Sequence, residues 1–117
     1  MTRYLDGIRI GREAIERCHV LDEWRAMARA IGAEYCEFAT VWLDGRRYMA
    51  VCNEEYHVRR EYRRGDPVAA FDNLPIFGTC LLFKVKDHDA ASIPDAETDA
   101  LLAKLPQCVR HIAEGIA

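Results

Sequence analysis

The pair Cys18-His19 is a candidate for nucleophilic chemistry in this sequence, because a thiolate beside an imidazolium is a competent nucleophile. Adjacent residues on a helix point about 100° apart, so adjacency alone does not form a catalytic dyad. A cysteine buried in a core beside a histidine at its boundary is the commoner arrangement. We therefore expect Cys18 to be a core residue, and we predict no catalytic residue.

Metal ligation is the second chemistry that the residue types permit. The four histidines, which show neither H-x-x-x-H nor H-E-x-x-H spacing, are His19, His57, His88 and His111. The run Asp87-His88-Asp89 offers three polar ligands, but such a run is also typical of a solvated loop. The sequence therefore predicts neither a metal site nor a cofactor.

An arginine-rich segment in the middle of the chain has the chemistry of a nucleic-acid surface, since guanidinium groups bind phosphate and aromatic rings stack on bases. It is interleaved with tyrosines, and its arginines are Arg46, Arg47, Arg59, Arg60, Arg63 and Arg64. The whole chain nonetheless carries a formal net charge of -3, which opposes binding to a polyanion. Nucleic-acid contact through this segment is an alternative hypothesis and is not the favoured one.

Acidic residues form the opposite feature around the predicted start of the last helix. They are Asp87, Asp89, Asp95, Glu97 and Asp99. Such a patch can dock on a basic groove of a partner protein. Acids near a helix N-terminus also suit the helix dipole, so about half of the cluster has an explanation that needs no partner.

A chain of 117 residues that is 50% hydrophobic and 30% charged is the size of one domain and can bury a core. Its five cysteines form no C-x-x-C pair, which argues against a disulfide framework and against a zinc ribbon. No apolar run approaches the ~20 residues of a membrane span, and no basic leader precedes an apolar block. We expect a single globular domain over residues 1–117, located in the cytoplasm and without membrane contact.

The strongest local structural signal is a β-hairpin. Two largely apolar runs, 35–43 and 48–52, are joined through Asp44-Gly45, a dipeptide that favours a type I′ turn. A two-residue turn pairs Leu43 with Arg46 and leaves both faces largely apolar. We therefore expect the hairpin to be covered on both sides by its own helices, by a further strand layer or by another chain. The hairpin residues that we expect at an interface are Val41, Trp42, Leu43, Tyr48 and Met49.

Periodicity places the remaining elements. Helical spacing indicates helices near 12–19 and over 22–31, and a last helix that begins near Ser92 and keeps its phase through Pro106. Residues 54–64 fit a helix or a third meander strand, and helix is preferred. The run 76–85 is apolar on both sides, as in a central strand. The sum is an α+β domain with a small, mainly antiparallel sheet of three to four strands around a central hairpin, packed by two to four helices.

Three functional hypotheses follow. The favoured one is a non-catalytic protein-interaction module, such as an inhibitor or regulatory subunit, which docks on a partner protein or forms a homodimer. The second is a nucleic-acid-contacting domain that uses the arginine-rich segment. The third is a small enzyme or ligand-binding domain whose pocket leaves no linear motif. The first is preferred because a compact fold with an ample core and no chemical signature is more often a binder.

Overall fold

The computed structural model describes residues 3–11, 14–54, 69–70, 75–76 and 78–116, which form eight strands and two helices. In chain order these elements are β1 (Tyr4–Ile10), β2 (Ile15–Leu21), α1 (Trp24–Ala30), β3 (Cys36–Leu43), β4 (Arg46–Asn53), β5 (Ala69–Ala70), β6 (Pro75–Ile76), β7 (Cys80–Lys86), β8 (Asp89–Ala91) and α2 (Asp95–Ile116). No helix found among these residues is long and apolar enough to cross a membrane.

Six of the strands form one antiparallel sheet, in which five follow the order β2-β1-β7-β4-β3. β1 pairs with the first half of β7, and β8 pairs with its second half on the same side. The strands β5 and β6 pair only with each other. The fold is α+β, as predicted. The expected three to four strands packed by two to four helices were wrong, because the described residues hold six strands in this sheet and only two helices.

The helix predicted near 12–19 was wrong, because residues 15–19 of that segment belong to strand β2, which pairs with β1 along its whole length. Cys18 and Val20 pack on the α1 side of the sheet, and His19 between them faces the other way. This alternation explains why no helical face could be continued back through Arg17. The strand β1 had no assignment from the sequence.

The predicted helix over 22–31 is confirmed as α1, which is slightly shorter. The N-cap is Glu23, whose carboxylate accepts a hydrogen bond from the backbone N–H of Arg25. The helix ends before Gly32, whose φ of 72° is the left-handed conformation expected of a closing glycine. On the sheet, Arg9 donates to the carbonyl of Ala30 and so satisfies a free carbonyl of the last turn.

The hairpin of β3 and β4 has the predicted register. Leu43 pairs with Arg46, and the pairing continues to Cys36 opposite Asn53. Asp44 and Gly45 have φ values of 52° and 74°, as a type I′ turn requires. The turn chemistry and the apolar pattern therefore determined this element without help from distant residues.

β7 lies between β1 and β4, which confirms the central strand, but it begins at Cys80 and not at Ile76. Ile76 belongs to β6. Beyond β7 the chain turns through Asp87 and His88, which both have positive φ, into β8. The hairpin of β7 and β8 was missed because its turn lacks the glycine that usually marks such a geometry.

The last helix begins at Asp95 and continues without interruption through Pro106, as predicted. Ser92 does not cap it; its hydroxyl accepts a hydrogen bond from the backbone N–H of Asp6. Ile93 in turn donates its N–H to the Asp6 carbonyl, so the segment before α2 is fastened to β1. The alternatives for residues 54–64 concern a segment that, beyond Glu54, lies outside the described residues.

The sheet separates two hydrophobic layers. On the α2 side the buried residues are Ile8, Ile10, Val41, Leu43, Tyr48, Ala50, Cys52, Cys80, Leu82, Ile93, Leu101 and Leu105. On the α1 side they are Leu5, Met27, Ile31, Met49, Val51, Leu81 and Phe83. Because β7 contributes to both layers, it is the strand around which the core is built.

Gly7 is the position where β1 makes its closest approach to the core. A Cβ atom there would lie 2.6 Å from the Phe83 ring and closer still to the Leu82 carbonyl oxygen. The backbone oxygen cannot move aside without displacing β7. Only glycine therefore fits at this point of β1.

Replacing Gly7→Ala is expected to lower the free energy of unfolding by about 3 kcal/mol, because the added methyl group overpacks the core against backbone. Urea denaturation monitored by circular dichroism measures the change. Gly11→Ala is the control, since a Cβ atom there has its nearest neighbour at 3.5 Å. Equal stability of the two variants would contradict the steric explanation.

Candidate functional site

The structure separates Cys18 from His19. Cys18 lies in the α1-side layer, and burial raises its pKa to about 11. His19 points to the opposite face, where its Nδ1 atom lies 2.7 Å from Oδ1 of Asp6 and its ring stacks on Tyr4 at a centroid distance of 4.8 Å. A thiol with this pKa is protonated at neutral pH, so these two residues do not form a nucleophilic dyad.

The two described residues of the arginine-rich segment, Arg46 and Arg47, lie on opposite faces of β4. Arg46 is on the α2 side and forms an ion pair with Glu97 at 3.5 Å. Arg47 is opposite Trp42 in the hairpin register, on the α1 side. The other four members, Arg59, Arg60, Arg63 and Arg64, lie outside the described residues.

The acidic cluster is divided among different partners. Asp95 and Asp99 both form ion pairs with Arg17 of β2, so part of their charge is neutralised within the chain. Asp87 and Asp89 lie apart from these two, at the turn between β7 and β8. The fifth member, Glu97, faces the sheet and is considered below. The five acids therefore do not present one continuous acidic face.

The predicted interface residues of the hairpin also have different environments. Val41, Leu43 and Tyr48 are buried beneath α2, and Met49 is buried on the α1 side. Trp42 is exposed. The hairpin is thus covered by the chain itself on one face, whereas on the other face β4 is covered and β3 remains partly open to solvent.

This open face belongs to a band of aromatic side chains, which we call the aromatic strip. It consists of Trp24, Tyr35, Phe38 and Trp42, whose side chains are 41 to 55% exposed. Phe38 and Trp42 lie on the same face of β3. Tyr35 directly precedes β3, and its ring stacks on that of Trp24 with a centroid distance of 6.0 Å.

Two cations and a groove accompany the aromatic strip. The Arg25 guanidinium lies 4.9 Å from the centre of the Trp24 ring, and Arg47 is the cross-strand neighbour of Trp42. A groove of about 560 Å³ adjoins the strip; among the residues that line it are Phe38, Met49, Asp89 and the Arg3–Asp22 ion pair. The surface around the strip is therefore a mixture of apolar area and charge.

On the other side of the sheet, Glu97 forms the most buried ionic contacts of the described residues. Its side chain is only 14% exposed, and Oε1 accepts a hydrogen bond from Nζ of Lys84 at 2.8 Å. Desolvation opposes ionisation of Glu97, but Lys84, the Tyr48 hydroxyl and Arg46 outweigh it and hold its pKa below the ordinary value. Burial raises the pKa of Tyr48, and the Glu97 carboxylate raises it further. At neutral pH the site therefore holds an ionised carboxylate beside a protonated phenol.

The Glu97 cluster borders a pocket of about 350 Å³ between the β3–β4 turn and the first turns of α2. Its lining combines apolar side chains with charges of both signs: Leu43, Asp44, Arg46, Tyr48, Glu97, Ala100, Leu101 and Lys104. In the sequence, Glu97 is one of the acidic residues around the predicted start of the last helix, and Tyr48 is an apolar residue of the predicted hairpin. No sequence signal joined them, because the contact depends on how α2 crosses the sheet.

Within the described part of the chain, no three His, Cys, Asp or Glu side chains are arranged to hold a metal ion. Comparisons of the chain with protein-family models, with curated proteins and with solved structures find no match.

Cysteine reactivity tests the placement of the thiols. At pH 8 we expect iodoacetamide to modify Cys36, which is half-buried, before Cys18, Cys52 and Cys80, because burial raises the pKa of all four but most strongly in the last three. Peptide mass spectrometry of the native protein over time measures the order. Early modification of Cys18 would restore it as a candidate nucleophile.

Glu97→Gln tests the buried ion pair. The substitution is expected to lower the free energy of unfolding at pH 7 by about 2 kcal/mol, because it removes a charge-assisted hydrogen bond and leaves Lys84 without its anion. The folded pKa of Glu97 is below its ordinary value of 4.5, so its stabilisation is present above that pH and is lost as pH falls through the folded pKa.

The difference in unfolding free energy between wild type and Glu97→Gln should therefore shrink between pH 7 and about pH 3. Asp99→Asn is the control, since its ion pair with Arg17 is exposed and is worth about 0.5 kcal/mol. Urea denaturation at both pH values provides the measurement. A difference that stays constant with pH would contradict the assignment of the depressed pKa to Glu97.

Proposed function

We propose that this chain is a non-catalytic protein-interaction module, and that the aromatic strip is the surface that docks on its partner. The observation that carries the proposal is the identity of the exposed hydrophobic side chains. All the large ones among the described residues are aromatic, and four of five form the strip: Trp24, Tyr35, Phe38 and Trp42, with Tyr4 elsewhere. Aromatic residues and arginine are the residue types enriched at protein interfaces.

The strip is also held rigidly, which lowers the entropy lost on binding. Phe38 and Trp42 stand on a paired strand, and Trp24 and Tyr35 stack with an interplanar angle of 13°. Cys36 strengthens that end, because its thiol donates a hydrogen bond to the Trp24 carbonyl at 3.5 Å. A surface prepared in this way can bind without first ordering its side chains.

The charges beside the strip indicate the chemistry of the partner. Arg25 lies at one end and Arg47 at the other, so the strip suits an apolar segment with acidic residues at its ends. A partner bound there would be regulated or blocked by occupancy, as an inhibitor or regulatory subunit acts. A cytoplasmic location belongs to this proposal.

The double substitution Trp24→Gln and Phe38→Thr tests the function. Both side chains are exposed, so the fold should persist, which circular dichroism checks. In affinity capture from the native cell, partners held by wild type should be lost with the double variant and kept with Tyr4→Thr, an exposed aromatic control on β1. With the purified partner, loss of two anchor residues should weaken binding by about 2 kcal/mol or more.

Sedimentation at micromolar concentration covers the case in which the partner is a second copy. A dimer that dissociates in the double variant, but not in Tyr4→Thr, would identify the strip as a self-association surface. If wild type and the double variant retain the same partners with the same affinity, the aromatic strip is not the docking surface.

A further inference from the structure

The pocket beside Glu97 has the size and lining of a small-molecule site, independently of the aromatic strip. Its volume of about 350 Å³ lies within the ~300–1,000 Å³ that small-ligand pockets occupy. Leu43, Ala100 and Leu101 contribute apolar wall, while Tyr48 and Glu97 place polar groups inside. An apolar cavity with a few convergent polar groups is the usual form of a binding site.

Two ion pairs flank this pocket and connect the hairpin to α2. Asp44 pairs with Lys104, and Arg46 pairs with Glu97. Lys84, which is not among the residues that line the pocket, also contacts Glu97, so within the described residues this group of ion pairs holds three cations and two carboxylates, an excess of one positive charge. That excess favours a ligand with a single negative charge.

Arg46 is the group best placed to receive that charge. Its side chain is 70% exposed, and within the described residues its partners are Glu97, at 3.5 Å, and the Tyr48 hydroxyl, so guanidinium donors remain accessible to a ligand. A guanidinium binds a carboxylate through two parallel hydrogen bonds. The pocket mouth, with Arg46 and Lys104 among its lining residues, therefore suits a carboxylate.

The inner part of the site lacks one hydrogen bond. Oε2 of Glu97 is buried and has no hydrogen-bond partner within the residues that the structure describes. Buried polar atoms are nearly always satisfied, and an exception in a native protein calls for an unseen partner. A hydrogen-bond donor on a ligand in the pocket beside Glu97 would supply the missing partner.

We propose that this pocket binds a small monocarboxylic acid that has an apolar body and a hydroxyl group on the carbon next to its carboxylate. The ligand carboxylate is bound by Arg46 and Lys104, the apolar body packs on Leu43 and Leu101, and the hydroxyl donates to Glu97. A hydroxyl next to a carboxylate is close enough to reach Glu97 while the carboxylate stays on Arg46, because the two protein groups are adjacent.

Three matched probes test the proposal. Each is titrated into the isotope-labelled protein, and the amide chemical shifts are monitored by NMR. Mandelate carries the ring, the carboxylate and the hydroxyl; phenylacetate lacks the hydroxyl; mandelamide lacks the charge. Mandelate should bind saturably, with shifts centred on the lining residues. Phenylacetate and mandelamide should each bind at least about tenfold more weakly, the effect of losing one hydrogen bond to a charged group.

Adjacent arginines supply the matched variants. Arg46→Gln and Arg47→Gln each remove one charge from an exposed position of the same strand, but only Arg46 lines the pocket. Mandelate affinity should fall at least about tenfold in Arg46→Gln and stay unchanged in Arg47→Gln.

Absence of saturable shifts with mandelate in the wild-type protein would overturn the proposal. Equal binding of mandelate and mandelamide would overturn carboxylate recognition, and equal binding of mandelate and phenylacetate would overturn the contact with Glu97. Equal losses in the two arginine variants would show a general charge effect and would also reject the site. None of these results bears on the aromatic strip, which lies on the other side of the sheet.

Discussion

Burial of β7 on both of its faces is the constraint on which the rest of the structure depends. Leu81 and Phe83 belong to the α1-side layer, and Cys80 and Leu82 to the α2-side layer. A strand of this kind must have a neighbour on each edge and a cover on each face. The neighbours are β4 on one edge and β1 followed by β8 on the other, and Gly7 lets β1 approach closely enough to complete the layer.

The two faces are covered unequally, and this inequality creates the proposed docking surface. α1 has only seven residues, so it is about 10 Å long; it covers the layer around Phe83 and contacts β3 at Cys36, whose thiol donates to the Trp24 carbonyl. The outer face of β3 then presents aromatic side chains to solvent. On the other face, α2 contributes Leu101 and Leu105 to a layer that includes Val41 and extends to β3.

Polar contacts place α2 on the sheet and leave a pocket where they meet. Arg17 binds the first turns of the helix from β2, while Lys84 and Arg46 bind Glu97 from β7 and β4. A carboxylate at this depth is stable only because its cations offset its desolvation. The same group of charges, together with apolar walls, gives the adjacent cavity the chemistry for a small acid.

Local signals determined several parts of this protein from the sequence alone. Asp44-Gly45 specified the hairpin of β3 and β4 and its register, because a type I′ turn requires two residues with positive φ and the alternation of side chains along a strand then fixes which residues share a face. The apolar run that contains Cys80 to Val85 indicated a central strand, and helical phase carried the last helix through Pro106. In each case the information lies within a few residues of the element.

Only the tertiary structure decided the features that carry the proposed functions. Ile15–Leu21 form a strand because β1 is available as a pairing partner, which short-range helical spacing cannot detect. Val41 and Trp42 are neighbours in the sequence and both apolar, yet Val41 is buried beneath α2 and Trp42 is exposed, since successive residues of β3 face opposite sides of the sheet and helix packing decides which side is covered. Glu97 contacts Lys84, Arg46 and Tyr48 because α2 crosses over the sheet. Contacts of this kind join segments that are distant along the chain, so no local pattern contains them.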